Sequence, residues 1–572
     1  MAATELTLRR NAEMRLPSGE ILRADIWIPA GEGPFPTLLQ RLPYDKSSSF
    51  MTQSAVGMEI VRALDLGFAV VVQDTRGRFT SEGDFEPFAH EAADGAAAVS
   101  WVRDQDFSNG QVCTYGASYI GATQMLLAQE RPAGLVAMAP QVTTGDYYEN
   151  WTYRSGALQL GFILLWIMES LAPSDVVRRE LDGTDRGVQL LAQLLSDPAK
   201  AMEILPVRSG HLKQLAPYAD DWLAHPTRDD YWEEMNPSRR YGDMEVPALH
   251  IAGWNDLFLE GSLNNYVGMR TGSATSDARD GQYLIVGPWS HGNMSDWQGD
   301  AWLGYAAHSA VLDLTGRQLE FFSAAVAGRR PEMPRVTYFT TGTNDWHEAE
   351  DWPLPGVVET PLYLGSGDAG PSTLTYDPPV GEAAPRAFVS DPLDPVPTIG
   401  GATFLPGLLV ARNSGHKDQT SVENRDDVLI YTSELLTEPC TVTGPVVLEL
   451  WASSSAVDCD WTGRLTDVDA DGVSVGIIDG ILRSRYRAGA RPAPLTPGAP
   501  ELFTITLGSI SHTFGAGHRI RLQVASSNFP RFDRNPQSMV DPATATIADF
   551  VTAEQRVFHD AARPSRLLLP IV

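Results

Sequence analysis

The sequence predicts an α/β chain whose parallel sheet is interrupted by a helical insertion and followed by an all-β region. Three observations carry this. Buried-looking strands alternate with helical stretches up to about residue 352. Strand signals fade between residues 146 and 241, and short alternating strands among frequent Gly and Pro fill the remainder. At 572 residues the chain is too long for a single core. The expected division is residues 1–145 and 242–352 for the α/β domain, 146–241 for an inserted helical cap, and 353–572 for a β-sandwich of jelly-roll type.

Taken in order, residues 6–9 and 21–28 alternate as strands about the turn Pro17-Ser18-Gly19-Glu20. A strand at 36–40 runs into Arg41-Leu42-Pro43-Tyr44-Asp45-Lys46, and a helical stretch follows at 58–64. Residues 67–73 are continuously apolar, as in a strand buried on both faces, and end in the polar loop Asp74-Thr75-Arg76-Gly77-Arg78. A helix over 91–103 returns the chain to a strand at 111–116. In the insertion, Val188, Leu191, Leu194 and Leu195 recur at helical spacing. Strands resume at 247–252 and 282–286, and the alternation of 519–524 marks the all-β region.

The balance of 43 Lys and Arg against 72 Asp and Glu gives a net charge of −29, which excludes nucleic acid and anionic membrane surfaces as partners. The first ten residues carry no apolar core of signal-peptide length, and the apolar run 160–168 is too short for a bilayer. A soluble, cytoplasmic protein is expected, with monomer and homodimer both left open. Cys113, Cys440 and Cys459 show no metal-ligand spacing, and neither disulfides nor metals nor other cofactors are expected.

The chemistry centres on Gly116-Ala117-Ser118-Tyr119-Ile120-Gly121, a serine between glycines where strand gives way to helix. That is the layout of a nucleophile elbow, in which a tight turn exposes the hydroxyl and the helix N-terminus faces any developing anion. Gly472-Val473-Ser474-Val475-Gly476 fits the generic string literally but continues as strand after a hairpin-like turn, so it makes no elbow. The acidic turn before it imitates a calcium loop, with Ile478 where the bidentate glutamate belongs. A serine needs a base and a group to orient that base. Asp256 and His291 each follow a buried-looking strand, and the order Ser118, Asp256, His291 is that of α/β-hydrolases. His250 lies within a strand and is expected in the core, and Asp74 is expected to pair with Arg76. For an oxyanion, the backbone N–H of Tyr119 is one donor. No glycine-rich loop supplies a second, and the phenol of Tyr44 stands where that loop would be.

These motifs resemble the cocaine esterase group of the family that also holds X-Pro dipeptidyl peptidases, α-amino acid ester hydrolases and glutaryl acylases. The likeness extends over Pro43-Tyr44-Asp45-Lys46, Gln73-Asp74-Thr75-Arg76-Gly77, the elbow, Gly253-Trp254-Asn255-Asp256 and Gly287-Pro288-Trp289-Ser290-His291. It continues in Ser453-Ser454-Ser455-Ala456-Val457-Asp458 and Ser526-Ser527-Asn528-Phe529-Pro530, nearly the whole chain. The resemblance implies an α/β-hydrolase core with an inserted helical cap and a C-terminal jelly-roll domain. It implies Ser118 as nucleophile, His291 as base, Asp256 as its orienter, and Tyr44 with Tyr119 as oxyanion hole. By the same likeness Gln53, Trp151, Trp166, Phe258, Phe404 and Leu405 wall an acyl pocket. The implied activity is a serine carboxylesterase acting on a small-molecule ester with a bulky or aromatic acyl group. An acylase, α-amino acid ester hydrolase or X-Pro dipeptidyl peptidase with the same triad is the first alternative. A catalytically inert carbohydrate-binding protein is the second.

Overall fold

The computed structural model describes residues 6–53, 58–181, 187–365, 372–404 and 413–572. The chain up to Ala349 is built on a ten-stranded mixed sheet. Its strands are β1 (Leu6–Arg15), β2 (Ile21–Pro29), β3 (Phe35–Leu42), β4 (Ala69–Asp74), β5 (Ser108–Ala117), β6 (Leu135–Gln141), β7 (Ala248–Asn255), β8 (Gln282–Ser290), β9 (Val336–Thr340) and β10 (Asp345–Ala349). They lie in the order 1-2-4-3-5-6-7-8-9-10. Strands from β4 to β9 across the sheet are parallel, with antiparallel β1 and β2 at one edge and β10 at the other. The continuously apolar strands fall at the centre because helices cover both faces: every residue of β4, β7 and β8 is buried. Helices α1 (Glu91–Arg103) and α2 (Tyr119–Ala128) share one core, through Ala98, Val99, Val102, Met125 and Leu127.

The chain between β6 and β7 is mainly helical. Its principal element, α3 (Leu160–Leu181), is longer than the apolar run in the sequence suggests, and with 22 residues of high mean hydropathy it has the length of a membrane span. The run lengthens because a π-turn at Ile167–Leu171 carries the helix on into Pro173. Two-thirds (67%) of its apolar window is buried inside the molecule, among aromatic residues of the insertion and the first domain. By length and composition it passes as a span, yet its apolar face is already occupied.

The C-terminal part is an eleven-stranded, almost wholly antiparallel sheet around its own core of Leu, Val, Ile and Phe. It is bonded to the first sheet through the main chain: Thr341 N–H donates to Ser511 C=O at 3.0 Å and Thr513 N–H to Thr341 C=O at 2.8 Å. Ser474 opens the strand Ser474–Arg483, antiparallel to Asp460–Val468, so its string belongs to a hairpin. Among the described residues no cluster of His, Cys, Asp or Glu could hold a metal ion. His250 is buried and bonded through Nε2 to Gln282 at 2.9 Å. The expected Asp74–Arg76 pair does not form. Asp74 turns inward to accept from Lys46 N–H at 2.8 Å and from Thr80, whereas Arg76 reaches Asp94 and Glu20.

Candidate active site

Ser118 is the hinge between β5 and α2, with φ 61° and ψ −127°. The turn is tight enough to explain both glycines. A Cβ at Gly116, where φ is 126°, would lie 2.5 Å from Ile120, and one at Gly121 would lie 2.7 Å from Thr143. Ile120 therefore fills the space that Gly116 leaves, and the second glycine moves one place along to pass Thr143. The Ser118 N–H donates to Gln141 C=O at 2.9 Å, which ties the elbow to the end of β6.

The ends of β7 and β8 deliver the other two groups. His291 Nε2 lies 3.1 Å from Ser118 Oγ, and His291 Nδ1 lies 2.8 Å from Asp256 Oδ2. Asp256 also accepts the Phe258 N–H at 2.7 Å, which fixes the carboxylate plane. With the imidazole proton on Nδ1 facing Asp256, Nε2 is free to take the hydroxyl proton of Ser118. Three residues remote in the sequence thus form one hydrogen-bonded chain.

Tyr44 faces the same hydroxyl. Its loop is fixed by the Asp74–Lys46 bond, and the Trp166 indole Nε1–H donates to its oxygen at 2.9 Å. Burial pushes the Tyr44 phenol up, opposed by the hydrogen bond from Trp166, the Arg78 charge and a hydrogen bond with Ser118, so it remains a protonated donor. Tyr119 opens α2, where the first N–H groups have no intrahelical partner. Its side chain is anchored at both sides: the hydroxyl donates to Glu91 at 3.1 Å and accepts the Phe88 N–H at 2.9 Å. The backbone N–H of Tyr119 is therefore held in place.

A cavity opens at Ser118 and is mostly apolar, with Met51, Ile120, Val142, Phe162, Trp166 and Phe404 around Tyr44 and His291. Of the residues expected in its wall, Trp166 and Phe404 line it. Trp151 and Phe258 stand behind, stacked at 4.3 Å, with Phe258 edge-on to His291 at 5.1 Å. The Gln53 side chain and Leu405 lie outside the described residues. Phe162 escaped the sequence reading, although it lies four residues before Trp166 and four more separate Trp166 from Ser170, so one helix face presents all three. No carboxylate is found among the described residues lining the cavity. Asp146 is paired with Arg228, and Glu149, pushed up to about 7 by burial, accepts the Ser155 N–H at 3.0 Å.

Residues 18–293 match the model of the X-Pro dipeptidyl-peptidase (S15 family), and residues 331–568 match that of the X-Pro dipeptidyl-peptidase C-terminal non-catalytic domain. The chain is 37% identical to a cocaine esterase of Rhodococcus sp. (strain MB1 Bresler), covering 98% of both chains. A solved α-amino acid ester hydrolase matches with a TM-score of 0.82 at 27% identity, covering 100% of this chain and 97% of that one. An aminopeptidase from a marine sediment Thaumarchaeota archaeon matches in fold, also with a TM-score of 0.82, at 24% identity and over the same shares of both chains.

Proposed function

Because this chain belongs to the S15 family and is a serine ester hydrolase, we propose that it is a carboxylesterase for esters with a neutral, bulky or aromatic acyl group. The observation that carries the acyl preference is the composition of the cavity: aromatic and aliphatic side chains with no carboxylate among the described lining residues. A protonated substrate amine would need such a carboxylate for a partner.

The geometry supports the following reaction. Ser118 Oγ attacks the ester carbonyl while His291 Nε2 takes its proton, and Asp256 stabilises the imidazolium. Charge collects on the carbonyl oxygen, which receives the Tyr44 O–H and the Tyr119 N–H. The intermediate collapses to an acyl-enzyme as His291 returns the proton to the departing alkoxide. Water, deprotonated by the same imidazole, then releases the acid and regenerates Ser118. Phe162, stacked on Trp166 and meeting Phe404 edge-on, forms an apolar wall against which the acyl group packs beside the nucleophile.

The test is a comparison of 4-nitrophenyl benzoate, an α-amino acid 4-nitrophenyl ester and an X-Pro 4-nitroanilide, together with fluorophosphonate labelling. Stoichiometric labelling at Ser118 and the highest kcat/KM for the benzoate are expected. Turnover of the anilide alone would replace this reading with a peptidase, and absence of labelling would remove Ser118 as the nucleophile.

A further inference from the structure

We propose that Arg78 is a positioning residue: it ties the cap helix that walls the cavity to the loop that carries Tyr44, and so sets where that phenol stands in the transition state. The proposal rests on the oxyanion role assigned to Tyr44 above.

Arg78 is fully buried, at 0% exposure. Its Nε–H donates to the carbonyl of Pro43, immediately before Tyr44, at 2.9 Å. On the other side, Nη1 donates to Leu171 C=O at 3.1 Å and to the Asp175 carboxylate, and Nη2 to Ser170 C=O at 3.3 Å. The guanidinium also lies over the Phe85 ring, 4.6 Å from its centroid. A guanidinium is unfavourable at full burial unless its donors are satisfied, and here they are used to join two separate stretches of chain.

The partners on the helix are not arbitrary. At the π-turn, Ala172 N–H closes onto Ile167 C=O, and Pro173 has no N–H to offer the turn behind it. Such a turn disturbs the regular pairing of helix carbonyls, and the two at its C-terminal end, Ser170 and Leu171, face Arg78. Ser170 lines the cavity, and Trp166, one turn earlier, donates to the Tyr44 oxygen. Trp166, carried by this helix, and Arg78, bound to it, thus hold the same loop at two points. Asp175 lies one turn beyond Leu171 and binds the guanidinium from farther along the helix. The positive charge also favours the ionised phenol, which strengthens Tyr44 as a donor.

The experiment is a double-mutant cycle of Arg78→Lys and Tyr44→Phe, with 4-nitrophenyl benzoate as substrate. The value compared is kcat per Ser118 site titrated by a fluorophosphonate. Lysine keeps the charge but cannot reproduce the planar fork that reaches both segments. Arg78→Lys is expected to lower kcat about 10–10²-fold, the scale of a small misplacement of a catalytic group, with little change in KM. In the Tyr44→Phe background the same substitution is expected to cost nothing further. Losses that multiply would overturn the proposal while leaving the esterase reading intact. So would a loss of titratable sites with unchanged kcat per site, the signature of a purely structural arginine. If Arg78→Lys fails to fold, Asp175→Asn takes its place in the cycle with the same expected non-additivity. Wild-type turnover in Tyr44→Phe would remove the oxyanion role of Tyr44, and the Arg78 role with it.

Discussion

At the scale of single residues, the site depends on small adjustments of standard parts. The elbow departs from the generic string at Ile120 and Gly121, and the structure gives a steric reason for each: Gly116 makes room for Ile120, and Gly121 for Thr143. Ser118, Asp256 and His291 were legible because strand ends in an α/β sheet are where such groups gather, and because their order along the chain is diagnostic. The partner of Asp74 is not legible in the sequence, since it depends on which way the loop after β4 turns, and nothing local specifies that. Asp74 secures Lys46 and hence the Tyr44 loop. Tyr44→Phe is expected to lower kcat about 10²–10³-fold, as for loss of one oxyanion donor, while the protein still folds cooperatively with a somewhat lower Tm because the Trp166 N–H loses its acceptor. Turnover within a few-fold of wild type would show that the phenol takes no part.

At the scale of elements, α3 is the informative case. Its apolar run is visible in the sequence, but its full length and its π-turn are not, because a proline at 173 locally disfavours continuing a helix. Tertiary packing outweighs that local preference: the helix continues because its buried face meets a large aromatic cluster. The same packing makes Phe162 a wall residue, stacked on Trp166 with ring centroids 5.6 Å apart. Phe162→Ala is expected to lower kcat/KM for a benzoyl ester about 10-fold or more, while an acetyl ester, too small to reach that ring, changes less. Equal losses on both substrates would indicate damage to the triad instead of the wall.

At the scale of the whole molecule, both parts of the chain border one cavity, since Phe404 reaches it from the C-terminal side while Ser118 and His291 follow strands of the first sheet. The sequence separated the regions by composition but could not bring them together, because contacts between remote segments leave no periodic signal. Stability should depend on acid in a definable way. Burial lowers both His250 and His416 from an ordinary 6.5 to about 4. The unfolded chain takes up these protons near pH 6.5 and the folded chain only near pH 4, so stability is intact above pH 6.5 and is lost as pH falls toward 4. Each group contributes on the order of 1–3 kcal/mol. Tm should fall steadily over that window, less steeply in His250→Gln. A flat Tm profile would contradict the assignment.

The backbone at Ser118 has a consequence of a different kind. A side chain held at positive φ is under tension that the surrounding packing must restrain, and glycine would relax it. Ser118→Gly should therefore abolish hydrolysis and yet melt at a higher temperature than the working enzyme, by an amount on the order of 1 kcal/mol. A lower Tm would mean that the hydroxyl helps to hold the fold. A higher one would measure, in heat resistance forgone, what the protein gives up to keep its serine ready to react.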